Sequence, residues 1–116
     1  LRCVTGVQTC ALPISSVPPL TNDTELSKEV TSYLKDLLGE KSVVLFEGGG
    51  MGSEDFASYS YKVPSVYLML GAGTKQENPL YGEAMHNEKV VFNEDILVTG
   101  AAMHTYSAIM WLKNNK

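Results

Sequence analysis

Two short apolar runs, Val43 to Phe46 (VVLF) and Ser65 to Leu70 (SVYLML), carry the clearest strand signals in the sequence. β-Branched and apolar residues in runs of this length fit a buried strand. Two strands make a poor free-standing sheet, so they are expected to add to a larger one. Helical patterns alternate with them. After the lead-in Ser16 to Leu20 (SVPPL), whose prolines favour an extended path, Asn22 offers an N-cap with Glu25 three residues on, in capping-box spacing. Leu26, Val30, Tyr33, Leu34, Leu37 and Leu38 then recur at three- and four-residue steps up to Gly39, the pattern of an amphipathic helix with a glycine stop. Between the strands, Gly48, Gly49 and Gly50 make a turn, and Ser53 can cap a short helix to about Tyr59. Residues 74–92 form a polar loop holding Pro79, Gly82 and His86, with a short extended piece at Lys89 to Phe92. Asn93 is expected to cap the last helix, with Glu94 and Asp95 in its first turn, where negative charge suits the helix dipole. Leu97, Ala101, His104, Ala108 and Trp111 share one face of that helix, which is expected to run to about Leu112. The order helix, strand, short helix, strand, loop, helix predicts an α/β layer arrangement.

The first fifteen residues stand apart. Val4 to Ile14 (VTGVQTCALPI) reads as the in-frame translation of a common sequencing-library adapter. Residues 1–15 are therefore set aside as a non-native segment and residues 16–116 taken as the domain. The only cysteines, Cys3 and Cys10, go with the discarded segment, so cysteine use says nothing about redox compartment. The chain starts at Leu1 rather than Met, and the reading frame is expected to continue upstream. With 44% hydrophobic and 19% charged residues, the composition is that of an ordinary globular domain. The formal net charge of −4 argues against nucleic acid, and no apolar run has the length of a membrane span.

Three features could carry chemistry. The turn EGGGMGSEDF could cradle a phosphate at a helix N-terminus. It lacks the Lys-Ser/Thr ending of a P-loop, however, and Glu54 and Asp55 would repel an anion, which favours a tight turn with a capped helix. His86, in AMHNEKVVFNED, could give imidazole nitrogen to a transition metal. A lone loop histidine is more often only solvated, and a catalytic zinc wants about three protein ligands. His104, amid the apolar stripe of the last helix, reads as a core histidine bonded to a neighbour. Glu83, Glu88, Glu94 and Asp95 read as solvated side chains or residues near caps.

Taken together in order, MGSEDFASY, PSVYLMLGAG and HNEKVVFNEDILVTGAAMHTYSAIMWL resemble the end of the metal-dependent amidohydrolases of the aminoacylase and carboxypeptidase superfamily. The nearest branch holds hippurate hydrolase, N-acyl-amino-acid deacylases and N-acetyldiaminopimelate deacetylase. PPLTND resembles that branch's exit from its small lid domain, and the resemblance spans about residues 17–115. It implies the C-terminal part of a three-layer α/β zinc-peptidase-like catalytic domain, with the lid domain and the N-terminal half upstream. It also implies a bimetal centre of zinc, manganese, cobalt or nickel. A metal-activated water would cleave the amide of an N-acyl amino acid, and a carboxylate general base upstream would take its proton.

Carried over residue by residue, the resemblance makes His86 a terminal metal ligand, held as neutral imidazole by a partner on its other ring nitrogen. It places the turn at Gly52 and Ser53 near the substrate. No catalytic residue falls within the chain. The family usually has a proline where this sequence has Glu88. A small-molecule substrate, no nucleic acid or membrane partner, a homodimer through the lid and a cytoplasmic location are its family defaults. By itself the chain would be inactive. Two other readings stay open: a metallo-exopeptidase of the same superfamily, cleaving a dipeptide or a C-terminal residue, and a non-catalytic α/β module binding a partner through the glycine turn and the His86 loop.

Overall fold

A computed structural model describes residues 17–45, 54–83 and 85–116. Its elements are α1 (Thr24–Leu38), a 3-10 turn at Glu40–Ser42, α2 (Ala57–Ser60), a second 3-10 turn at Pro79–Gly82 and α3 (Ile96–Asn114). Helix α1 starts one residue later than the capping-box spacing suggested. Asp23, extended at φ −64° and ψ 130°, is its N-cap and accepts from the Leu26 N–H at 2.8 Å. Asn22 is drawn elsewhere. Its side chain accepts from the Tyr67 N–H at 2.8 Å and donates to the Tyr67 carbonyl at 3.0 Å. At the other end, Gly39 closes α1 through its N–H to the Lys35 carbonyl. Its φ of +89° with ψ 151° is a region essentially reserved for glycine.

The strand order expected from the sequence does not appear among the described residues, none of which lies in a β-ladder. Val43 to Leu45 and Pro64 to Gly73 carry no regular secondary structure, and Phe46 lies outside the described residues. The physical reason is pairing: extended backbone becomes a strand only when a neighbour satisfies its N–H and C=O groups. At Tyr67 both groups are satisfied by the carboxamide of Asn22, which takes the place a neighbouring strand would hold. Beside it, the Asp23 N–H donates to the Ser65 carbonyl at 2.9 Å. Together these bonds fasten the stretch to the start of α1. The piece expected at Lys89 to Phe92 is likewise unpaired, beginning in a turn.

Helices α1 and α3 pack on one another. Val30 and Leu34 of α1 meet Met103 of α3, with Leu26, Leu37, Leu38, Val43 and Val66 around them. Polar bonds flank this core. The Tyr106 hydroxyl donates to Asp36, Asn114 donates to the Tyr33 hydroxyl at 3.1 Å, and Asn115 to Glu29 at 3.3 Å. These pairings run in opposite order along the two helices, as antiparallel packing requires. The hydrogen bond from Tyr106 to Asp36 holds the phenol above its ordinary pKa.

The packed face of α3 is not the one read from the sequence. Ala101, His104 and Ala108 are exposed, Leu97 is 68% exposed, and Met103 is the buried residue of the helix. Apolar residues surround α3 on nearly every side, so periodicity singles out no one stripe, and contact with α1 decides. His104 is thus a surface residue rather than a core one. Among the described residues no helix is long and apolar enough to cross a membrane.

Candidate functional site

The described parts of the loop, residues 74–83 and 85–92, are built from short, self-bonded turns. Its neck is tied where the Asn93 N–H donates to the Ala72 carbonyl at 2.9 Å. Glu77 accepts from both the N–H and the hydroxyl of Thr74, at 2.7 and 3.0 Å. Asn78 caps the 3-10 turn at Pro79–Gly82 through the Leu80 N–H at 3.0 Å. Gly73 has φ +113°, and the Tyr81 ring occupies the space a Cβ would need. Gly73→Ala therefore combines a disfavoured backbone with a collision against an aromatic ring. The expected cost is about 2 kcal/mol, read as a lowered urea midpoint. An unchanged midpoint would mean the loop tolerates a side chain there.

His86 follows in a turn, exposed to solvent, with φ +64°. Among the described residues it is the one non-glycine residue with positive φ. A left-handed L-residue costs roughly 1–2 kcal/mol, although histidine adopts that region more readily than most. On either side, Asn87 donates to Glu83 at 3.4 Å and accepts from the Lys89 N–H at 2.8 Å. His86 thus stands exposed within a turn bonded through its neighbours.

The described residues do not make up a metal centre. No group of three His, Cys, Asp or Glu side chains comes together among them. The loop offers one imidazole donor in His86, His104 stands apart on α3, and Glu77 and Glu83 are engaged in local hydrogen bonds. No chemical step through a metal follows from these residues alone. Gly52 and Ser53, the expected substrate contacts, lie outside the described residues, as does the glycine run that precedes them.

The structure does describe what lies next to that turn in sequence. One carboxylate oxygen of Glu54 accepts from the Phe56 N–H at 3.2 Å and the other from the Tyr67 hydroxyl at 2.9 Å. The Phe56 ring packs between Tyr59 and Tyr67, with centroids at 6.1 and 5.9 Å. The Glu54 carbonyl accepts from the Ala57 N–H and opens α2, and Ala57 is fully buried. The Phe56 N–H foremost, with the Tyr67 hydroxyl, holds the Glu54 carboxyl below its ordinary pKa; the same bond holds the Tyr67 phenol above its own. The expected cap of α2, Ser53, lies outside the described residues, and no side chain caps the helix at Phe56. Sequence reading missed this Glu54–Tyr67 pair. The two residues are 13 apart, with no local pattern between them. The aromatic residues of EDF and SVY were the available signal.

Comparison with known proteins extends this picture beyond the described residues. The chain is 32% identical over 112 residues to IAA-amino acid hydrolase ILR1-like 2 of Arabidopsis thaliana, covering 97% of this chain and 25% of that protein. It is 32% identical over 81 residues to thermostable carboxypeptidase 2 of Saccharolobus solfataricus, covering 70% of this chain and 20% of the relative. A probable hydrolase of Synechocystis matches at 27% identity over 84% of this chain and 24% of its own length. The chain thus spans about a quarter of the length of these curated relatives, or less. No solved structure matches it. The model of peptidase family M20/M25/M40 matches residues 6–109, beginning inside the segment that reads as adapter. Such a match leaves little more than the two ends of the sequence outside it, and the chain belongs to peptidase family M20/M25/M40.

Proposed function

We propose that this chain is the C-terminal portion of a metal-dependent amidohydrolase that cleaves the amide bond of N-acyl amino acids, and that His86 is one of its metal ligands. Enzymes of this family are generally metal-dependent. The observation that carries the reading within this chain is the backbone at His86. An exposed residue held at φ +64° is strained, and such strain gathers where a side chain must be aimed. The chain's part is then to present a neutral imidazole from a tied loop. The remaining ligands and the general base belong to the preceding part of the protein. The metals are two ions of zinc, manganese, cobalt or nickel, between which imidazole and carboxylate donors do not choose by affinity alone. Gly52 and Ser53 contact the substrate, and pairing of two copies runs through the lid domain. Residues 1–15 take no part.

The amide class rests on the relatives. One is named for the hydrolysis of IAA-amino acid, and the order of sequence blocks resembles the deacylase branch. A relative named as a carboxypeptidase, equally similar in identity, favours the second reading, a metallo-exopeptidase. Purified full-length protein, assayed on N-acetyl and N-benzoyl amino acids against dipeptides of the same residues, separates the two. The expected result is a kcat/KM at least about tenfold higher for the N-acyl amino acids, a discrimination of about 1.4 kcal/mol. A preference for dipeptides would transfer the assignment to the exopeptidase. Absence of hydrolysis and of bound metal would leave the non-catalytic module.

A further inference from the structure

Helix α3 turns an uncharged face to solvent. No Asp, Glu, Lys or Arg lies between Ile96 and Leu112. Past its first turn, Ala101, His104, Ala108, Trp111 and Leu112 are nevertheless all exposed. With 3.6 residues per turn, the middle of this stripe lies about 130° round the helix from Met103, the residue packed on α1. Helix α1 supplies the contrast. Its exposed residues include Thr24, Glu25, Lys28, Ser32 and Asp36, the polar set of a solvated helix face. A helix that is apolar on nearly every side is one that is covered on more than one side. The extended stretch beside α3 is open as well. The Leu70 side chain lies against Gly100, 3.2 Å from where a Cβ would stand, so the stretch borders the stripe. Among the described residues, Leu68, Met69 and Leu70 make no backbone hydrogen bond, and Met69 is 86% exposed. Extended backbone in that condition is a template for a further strand.

We propose that the stripe from Ala101 to Leu112 and the edge at residues 68–70 form one docking surface, and that its occupant is the preceding part of the same polypeptide, with a strand on the edge and an apolar layer on the stripe. Two observations select this occupant. The chain spans about a quarter of the length of its curated relatives, or less, so a much larger body is tethered to it. The stripe carries no charged side chain, and an interface without charge at its centre belongs to a permanent contact rather than a transient one. The proposal rests on the reading under Proposed function that the chain is the C-terminal portion of a longer protein. It depends neither on the metal nor on which amide is cleaved.

The test is maleimide labelling of the folded full-length protein carrying Ala101→Cys or Ala108→Cys, read site by site by peptide mass spectrometry. Glu25→Cys, on the polar face of α1, is the exposed reference. The expected result is labelling of A101C and A108C at least about 100-fold slower than E25C, because modification of a covered site waits for local opening. That protection is expected to be independent of protein concentration. Equal rates at the three sites would overturn the proposal. Protection that fades on dilution would assign the surface to a second copy and overturn it too. Wild-type protein carries the same test without a substitution: oxidation of Trp111 by hydroxyl radicals is expected to be at least about tenfold slower in the folded protein than in urea, and equal rates would count against docking. Protected cysteines in a protein without metal or hydrolysis would keep the docking surface and remove the enzyme assignment. An active, metal-bound protein with an open stripe would do the reverse.

Discussion

Replacing His86 by alanine in the full-length protein lowers kcat/KM by about 100-fold or more, because a metal in a hydrolytic site supplies several kcal/mol of transition-state stabilisation. Thermal stability moves little in the same variant. The imidazole is exposed and lies among turns bonded through other residues, so removing it empties no core. Backbone strain provides an internal control. Glycine accepts φ +64° freely, and His86→Gly is expected to match or exceed the wild type in stability by up to about 1 kcal/mol while losing the same activity. Activity and stability thus part company at this position. A drop in both for H86A and H86G alike would make His86 a structural residue.

Leu34→Ala produces the largest stability effect. Leu34 is 2% exposed and lies between Val30 and Met103 where α1 meets α3. A leucine truncated in such a place costs about 2–5 kcal/mol, from lost transfer energy and the cavity left behind. The described core is small, so few neighbours can close over the gap. The polar bonds flanking it, from Tyr106 to Asp36 and from Asn114 to Tyr33, depend on the same helix spacing and loosen with it. Hydrogen exchange checks this directly: amides of α1 and α3 lose protection together in L34A. Protection retained in α3 while α1 opens would mean that the two helices are not one cooperative unit. Leu97→Ala, on an exposed part of α3, serves as the contrast, because 68% of its surface is already accessible.

The helices were legible in the sequence because their patterns are local. Spacing of Leu26, Val30, Leu34 and Leu38 placed α1, and Gly39 marked its stop where it is found. Its cap was misplaced by one residue for a long-range reason. Asn22 and Asp23 are both good caps, and only the contact of Asn22 with Tyr67, 45 residues on, frees the role for Asp23. Strands were less legible, since a run such as SVYLML states that backbone is extended and not what it pairs with. The buried face of α3 could not be read because isoleucines, leucines, methionines and Val98 surround the helix. Val98, 77% exposed, is as apolar as Met103, which is buried. At the site, His86 stood out through the motif around it rather than through composition. The Glu54–Tyr67 bond is a tertiary fact, joining residues 13 apart that no local pattern connects.

Metal content of the purified full-length protein, wild type against His86→Asn, tests the central claim most directly. Asparagine tolerates the left-handed backbone and lacks the imidazole, so the fold is kept while the donor is removed. The account predicts that the wild-type protein holds divalent metal through dialysis and that H86N loses a substantial part of it, with an unchanged melting temperature once both are stripped. Equal metal content in the two proteins would contradict it.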